Sequence, residues 1–343
     1  MTMWGIHNDA LGAETVDGGF ISISWDRVGD LRLIGDDRER IKEVLAANYP
    51  SAKAGAIPVW AGVLRRFAFD MNVGDIVVAP YKPDSTINFG VIEGEYEFHA
   101  DISEHPHRRR VRWKEVGVAR GEFPQPALYE IGSALTLFQV RKHESVFMEF
   151  LDTGAAPHAP EPSTTSGHDA DTITDVVVQE EPNADRIDQH TRDFIVRTLL
   201  NGISHEQFEQ FTADLLVAMG YEARVTRFSV DGGIDVIAHK DKLGLEPPII
   251  KVQCKHTTRT MGRPDVQQLI GTLAPTEAGL FVTLGSYSRE ASDLERERQS
   301  LRLFSAAEVT ALTIQHYDDL PPRWRSLMPL RRVLVVDQSP EEG

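Results

Sequence analysis

From Ile249 to His256 the chain reads IIKVQCKH, with Ile250, Val252 and Cys254 alternating with Lys251, Gln253 and Lys255. A period of two predicts a strand with one apolar and one polar face, so Gln253 and Lys255 share a side. A shorter apolar run, IDVIA, precedes it behind the flexible turn Asp231–Gly233, and Asp235 stands at its head. If the two runs pair, a carboxylate, an amide oxygen and an ammonium meet at one point. Burying an isolated Asp and Lys costs several kcal/mol unless they are paired or bound to a metal, so the pattern asks for a ligand. Upstream the period changes. Phe208, Phe211, Leu215 and Met219 recur at helical spacing, Ser204 and Gln207 form a capping box, and Gly220 closes the helix. Glu209 lies at the edge of that apolar face. A lead-in helix is expected over Arg186–Leu200, a strand over Tyr221–Arg227, and a last strand, a helix and a closing segment after Leu301.

The first 150 residues have a different rhythm. Short apolar or alternating runs lie between turn residues: Gly18–Trp25, Gly74–Pro80, Ile87–His99 and Leu135–Lys142. Strands at this spacing suggest a small barrel. One helix is expected over Asp37–Tyr49, where Ile41, Val44 and Leu45 share a face.

Composition then divides the chain. Its 343 residues, 41% hydrophobic, suffice for two cores. Asp152–Asp185 holds eight acidic residues and no Lys or Arg among Pro, Ser, Thr, Gly and Ala, which is linker composition; the apolar triplet Val176–Val178 could dock on a neighbour but builds no core. The expected organisation is 1–150 and 188–343 joined by an acidic linker at 151–187. Half of the net charge of -16 sits in that linker, so overall acidity does not exclude a nucleic-acid partner. The one cysteine, Cys254, excludes an internal disulfide and any Cys-rich zinc module and fits a cytoplasmic setting. No apolar run is long enough to span a bilayer, and no membrane partner is expected.

Five of the seven residues Arg108–Lys114 are basic, and alternation puts Arg110, Arg112 and Lys114 on one strand face, a row that can track a phosphate backbone or remain a solvated face paired with carboxylates such as Glu115. The order of pieces here, Trp4-x-Ile6, GFISISW, RFAFDMNVGDIVVAP, FGVIEGEYEF and RRRVRW, resembles the PUA-like superfamily, specifically the EVE-like and SRA-like readers found joined to bacterial restriction nucleases. The resemblance implies an aromatic pocket for an extruded base, which regains its lost stacking on a ring. Trp4, Asn8, Trp25 and Tyr81 are the candidates it selects. Core packing for the tryptophans and turn capping for Asn8 remain the alternatives.

The second half resembles the catalytic domain of Mrr-type restriction endonucleases, within the PD-(D/E)XK superfamily. The resemblance rests on FEQFTADLLVAMGYEARVTRFSVDGGIDVIAHKD, KVQCKH and GLFVTLGSYSREA and implies a mixed sheet flanked by helices. Glu209, Asp235, Gln253 and Lys255 fall in the family's order, with Gln where the superfamily usually has Asp or Glu. What this implies is phosphodiester hydrolysis with Mg²⁺, or Mn²⁺. Asp235 and Gln253 would be metal ligands, aided by the Cys254 backbone carbonyl; Glu209 would hold a second ion or a metal-bound water, and Lys255 would orient the attacking water.

The expectation from sequence is therefore an α/β two-domain protein, a PUA-like barrel followed by a restriction-endonuclease-like domain, acting on base-modified double-stranded DNA in defence against foreign DNA. Cutting both strands implies a homodimer or a DNA-induced oligomer. A nuclease switched on by a small nucleotide, an RNA-directed enzyme and a binding protein with an inactive nuclease fold stay open as rivals.

Overall fold

A computed structural model describes residues 1–8, 11–52, 55–133, 135–156, 184–226, 233–244 and 246–334. The linker centre with Val176–Val178, the Asp231–Gly232 part of the turn, Arg227 and the end of the tail lie outside the described residues. The chain divides into two units: Met1–Lys82, Ile87–Val116 and Phe123–Asn183 form the first, and Pro83–Thr86, Gly117–Glu122 and Ala184–Gly343 the second. Two short segments of the N-terminal half thus belong with the second unit, where the sequence marked a single division.

The first unit is built on seven strands: β1 (Met3–Ile6), β2 (Phe20–Ile23), β3 (Ile76–Tyr81), β4 (Thr86–Ile92), β5 (Glu97–Phe98), β6 (His107–Ala119) and β7 (Leu137–Gln139). They form one curled sheet in the order β2-β6-β4-β3-β1-β7, with β5 beside β6, a half-barrel whose end strands are not paired to each other among the described residues. Its helices are α1 (Glu14–Asp17), α2 (Leu31–Ile34), α3 (Arg38–Asn48), α4 (Ala56–Arg65), α5 (Gln125–Ile131) and α6 (Glu144–Thr153). The expected α3 is capped by Asp37, whose side chain accepts from the N–H groups of Glu39 and Arg40, and buries Ile41 and Leu45. By contrast α4 was not anticipated. Its nearly unbroken apolar run carries no helical stripe, and Pro58 sits in the first turn, where a missing N–H breaks no hydrogen bond.

The second unit opens with α7 (Ala184–Gly202) and α8 (His205–Ala218), followed by β8 (Glu222–Val225), β9 (Val236–His239), β10 (Ile249–Lys255), α9 (Arg263–Ile270), β11 (Glu277–Thr283), α10 (Arg289–Glu297), β12 (Leu301–Phe304), α11 (Ala306–Gln315) and α12 (Pro322–Leu327). The sheet order is β12-β11-β10-β9-β8, antiparallel from β8 to β10 and parallel from β10 to β12. One face packs Val236, Val252 and Cys254 against Phe208, Phe211 and Leu215 of α8; the other carries a smaller core around Met261, Val266, Leu269 and Phe281. The alternation in β10 is therefore the arithmetic of a strand between two layers. No helix among the described residues is long and apolar enough to cross a membrane.

Candidate active site

β9 and β10 pair antiparallel with Val236 opposite Val252, so one step further Asp235 stands against Gln253. The Asp235 N–H donates to the Val252 carbonyl (2.9 Å), and one carboxylate oxygen accepts from the Cys254 N–H (2.6 Å). Asp235 is thereby locked to the adjoining strand and aimed along the polar face. Gln253, 4% exposed, occupies the same face, and its side-chain oxygen has no hydrogen-bond partner among the described residues. An idle buried amide oxygen costs about 1–3 kcal/mol of desolvation, so its persistence needs a reason. Gly233 lies under this amide with φ +87, where an added Cβ would approach Gln253 Nε2 to 3.2 Å, so glycine serves both backbone and packing there. Lys251, on the same face, is committed to Glu277 (2.8 Å) and the Thr272 carbonyl (3.0 Å). Lys255 is half-buried and forms no such bond among the described residues.

Glu209 comes from α8, whose start is the expected capping box between Ser204 and Gln207. It is 7% exposed. Burial pushes its carboxyl pKa up, and the Asp235 carboxylate pushes it further. Asp235 is likewise raised by burial, against the opposing pull of the Cys254 N–H, His205 and Lys255. Two neighbouring carboxyls that both resist ionisation, beside an unpaired amide oxygen, form a site deficient in positive charge. Among the described residues no three His, Cys, Asp or Glu side chains form a ready cation cluster; the Gln253 side-chain oxygen is a further oxygen donor beside Asp235. Hard divalent cations take oxygen donors of this kind. The residues fit such an ion. The Cys254 side chain takes no part: it is buried on the core face, and burial drives its thiol pKa far up.

His205 also belongs to the site, without a place in the apolar pattern of α8. Its Nε2 lies 3.3 Å from Glu209 Oε1, one helical turn on, and its ring stacks on that of His256 (centroids 6.5 Å apart). His256, next to Lys255, in turn stacks on Phe208 (5.1 Å) and donates Nε2–H to the Leu199 carbonyl (2.7 Å). The signal was the i, i+4 spacing of His205 and Glu209, which a reading focused on apolar periodicity does not weigh.

The candidates in the first unit differ in what surrounds them. Trp4 is 1% exposed, and its indole N–H donates to Asp75 (3.0 Å). Asn8 spends both ends of its amide on the Ser22 backbone, and Tyr81 ends β3 with its hydroxyl beside Gly12. Trp25 is different. It takes φ +72, the left-handed region that a bulky side chain adopts only at a cost, and its ring meets Trp60 of α4 edge to face (6.0 Å), which meets Tyr49 (5.7 Å). His107 donates Nε2–H to the Trp25 carbonyl (3.3 Å) and accepts at Nδ1 from the Tyr96 hydroxyl (2.7 Å), a buried relay that holds this turn. Along β6, Arg110, Arg112 and Lys114 are exposed as alternation requires, with Arg110 and Arg112 paired to Glu97 and Glu93. Arg109 points inward and donates to the Phe67, Ala68 and Gly94 carbonyls.

Residues 200–313 match the family model described as a restriction endonuclease of the Mrr catalytic type, and residues 1–123 match a domain of unknown function. The chain is 31% identical over 145 residues to the type IV methyl-directed restriction enzyme EcoKMrr of Escherichia coli strain K12, covering 38% of this chain. It spans about half, 47%, of that enzyme's length. Among solved structures, MspJI restriction endonuclease in complex with a 27-mer oligonucleotide overlaps 84% of this chain and 73% of its own (15% identity, TM-score 0.32). The DNA modification-dependent restriction endonuclease AspBHI overlaps 91% and 79% (15% identity, TM-score 0.33). Overlaps this loose do not locate a site.

Proposed function

We propose that this chain, whose residues 200–313 are of the Mrr restriction-endonuclease type, is a modification-dependent DNA endonuclease. The observation that carries the proposal is the convergence of Asp235 and Gln253 across the β9–β10 pair, with the amide oxygen idle and Lys255 on the same face. In this reading Asp235 and the Gln253 side-chain oxygen would hold a divalent cation, Mg²⁺ by preference, with Glu209 contributing to the same site. When bound, that cation supplies charge relief at the scissile phosphate. The chain's own groups do the rest. Lys255 orients the attacking water and stabilises negative charge as it develops, the Cys254 N–H fixes the rotamer of Asp235, and Glu209 takes up a proton or a water hydrogen bond at the edge of the site.

The first unit selects the DNA. The exposed Arg110, Arg112 and Lys114 would follow the backbone, and the Trp25 ring, with Trp60 behind it, offers a stacking surface for an extruded modified base. Double-strand cleavage requires a second copy, as a homodimer or an assembly formed on DNA. The deciding experiment incubates the full chain with unmodified, cytosine-modified and adenine-modified duplexes, with and without Mg²⁺. Products confined to one modified duplex and to Mg²⁺ are expected. Binding without products in any metal would leave a reader with an inert nuclease fold, and cleavage of unmodified DNA only after a nucleotide is added would move the first unit from reader to sensor.

A further inference from the structure

We infer that His205 is a positioning residue for cleavage, holding Glu209 in the rotamer that serves the Asp235–Gln253 site; this rests on the placing of Glu209 in that site. A glutamate has three side-chain torsions and, on a helix edge, nothing intrinsic to select among them. His205 supplies the selection. Its Nε2 lies 3.3 Å from Glu209 Oε1, so the imidazole engages one of the two carboxylate oxygens. The imidazole is itself restrained, because His256 stacks beside it and is pinned in turn by Phe208 and the Leu199 carbonyl. His256 adjoins Lys255, so the stack ties the first turn of α8 to the end of β10 that bears the lysine. A surface ion pair has no use for such backing. His205 is also 48% exposed, so its ring fills no core and its removal should spare the fold.

Side chains that orient a metal-binding group typically change metal affinity or activity 10–100-fold when removed. The test uses the full chain and the variants His205→Ala, His205→Gln, Glu209→Ala and the double alanine variant. Mn²⁺ binding without DNA is followed by electron paramagnetic resonance, and cleavage is followed as a function of Mg²⁺. His205→Ala should raise both the Mn²⁺ dissociation constant and the half-saturating Mg²⁺ about 10-fold, with DNA affinity in metal-free buffer unchanged. His205→Gln, whose amide N–H can still reach the carboxylate, should recover most of the loss. The double variant should be no worse than Glu209→Ala alone, because His205 acts through Glu209. Metal binding of wild-type strength in His205→Ala, or losses that multiply in the double variant, would overturn the inference while Glu209 kept its role. Wild-type behaviour of Glu209→Ala would overturn both.

Discussion

In the proposed mechanism Asp235 and Lys255 act on one transition state, so truncating either should abolish cleavage and leave DNA binding largely intact. Cleavage at the wild-type rate by Asp235→Ala or Lys255→Ala, in a gel assay at saturating Mg²⁺, would remove both from the mechanism. Gln253→Glu is the finer test. A carboxylate in place of the idle amide oxygen should tighten Mn²⁺ binding, and complete loss of cleavage would show that the neutral amide matters in itself. These three positions were legible in the sequence because a period of two and one hairpin register suffice to bring them together. Gly233 was legible only as a turn, since nothing in the word DGG says that an amide lies 3.2 Å from its missing Cβ. Trp60 was not legible at all. It sits in an apolar stretch that reads as helix or strand alike, and its meeting with Trp25 depends on a left-handed residue that no local pattern announces. If the pair forms the stacking surface, Trp25→Ala should lower the preference for modified over unmodified duplex by up to about 1–3 kcal/mol in competition binding. Equal loss on both duplexes would make the ring a packing residue.

At the scale of elements, β6 performs two tasks with one composition. Its exposed row can neutralise phosphates, whereas Arg109 on the inner face donates to three backbone carbonyls, those of Phe67 and Ala68 in the helical turn Arg66–Asp70 after α4 and that of Gly94. Five of the seven residues Arg108–Lys114 are basic, and alternation separates Arg109 from the row Arg110, Arg112 and Lys114; the paired register Phe20 opposite Arg110 and Ile21 opposite Arg109 agrees with it. Arg112→Ala should therefore weaken all DNAs alike and reduce the salt dependence of binding by about one unit of slope, with the melting temperature unchanged. Arg109→Ala should act the other way. It leaves buried carbonyls unpaired, at about 1–3 kcal/mol each before water enters, and should lower the denaturant midpoint severely. Comparable stability for the two variants would dissolve the distinction. On α8 the expected capping box is in place, so Ser204→Ala should cost about 1 kcal/mol, read as a shift of the urea midpoint at constant slope.

At the scale of the whole molecule, the buried titratable groups set the two units against each other in acid. In the first unit, burial lowers His107 to about 4, and the Glu130 carboxyl is lowered too by the backbone N–H groups of Arg141, Lys142 and His143, although burial opposes them. A histidine held neutral binds fewer protons folded than unfolded between pH 6.5 and 4, so its stability contribution is intact above that window and lost on descending through it, on the order of 3 kcal/mol at most. In the second unit the signs reverse. Burial raises Asp84 to about 6, and Glu209 and Asp235 are raised as well. An aspartate with a raised folded pKa takes up its proton first in the folded state, so the cost of its buried charge is present above pH 6 and relieved as the pH falls toward 3.8. Between pH 7 and 5 the first unit should therefore lose stability while these three carboxyls favour the second. Scanning calorimetry of the full chain should show the two transitions moving apart, the first unit melting earlier. Asp84→Asn, which keeps the oxygen that accepts from Thr86 and discards the charge, should raise the melting temperature of the second transition at pH 8 and flatten its pH dependence below 6. Transitions that fall together with acid would show that the raised carboxyls do not favour the second unit, whereas a first transition unmoved down to pH 5 would show that His107 is not held neutral, and with it the relay through Tyr96 and Trp25 would lose its physical basis.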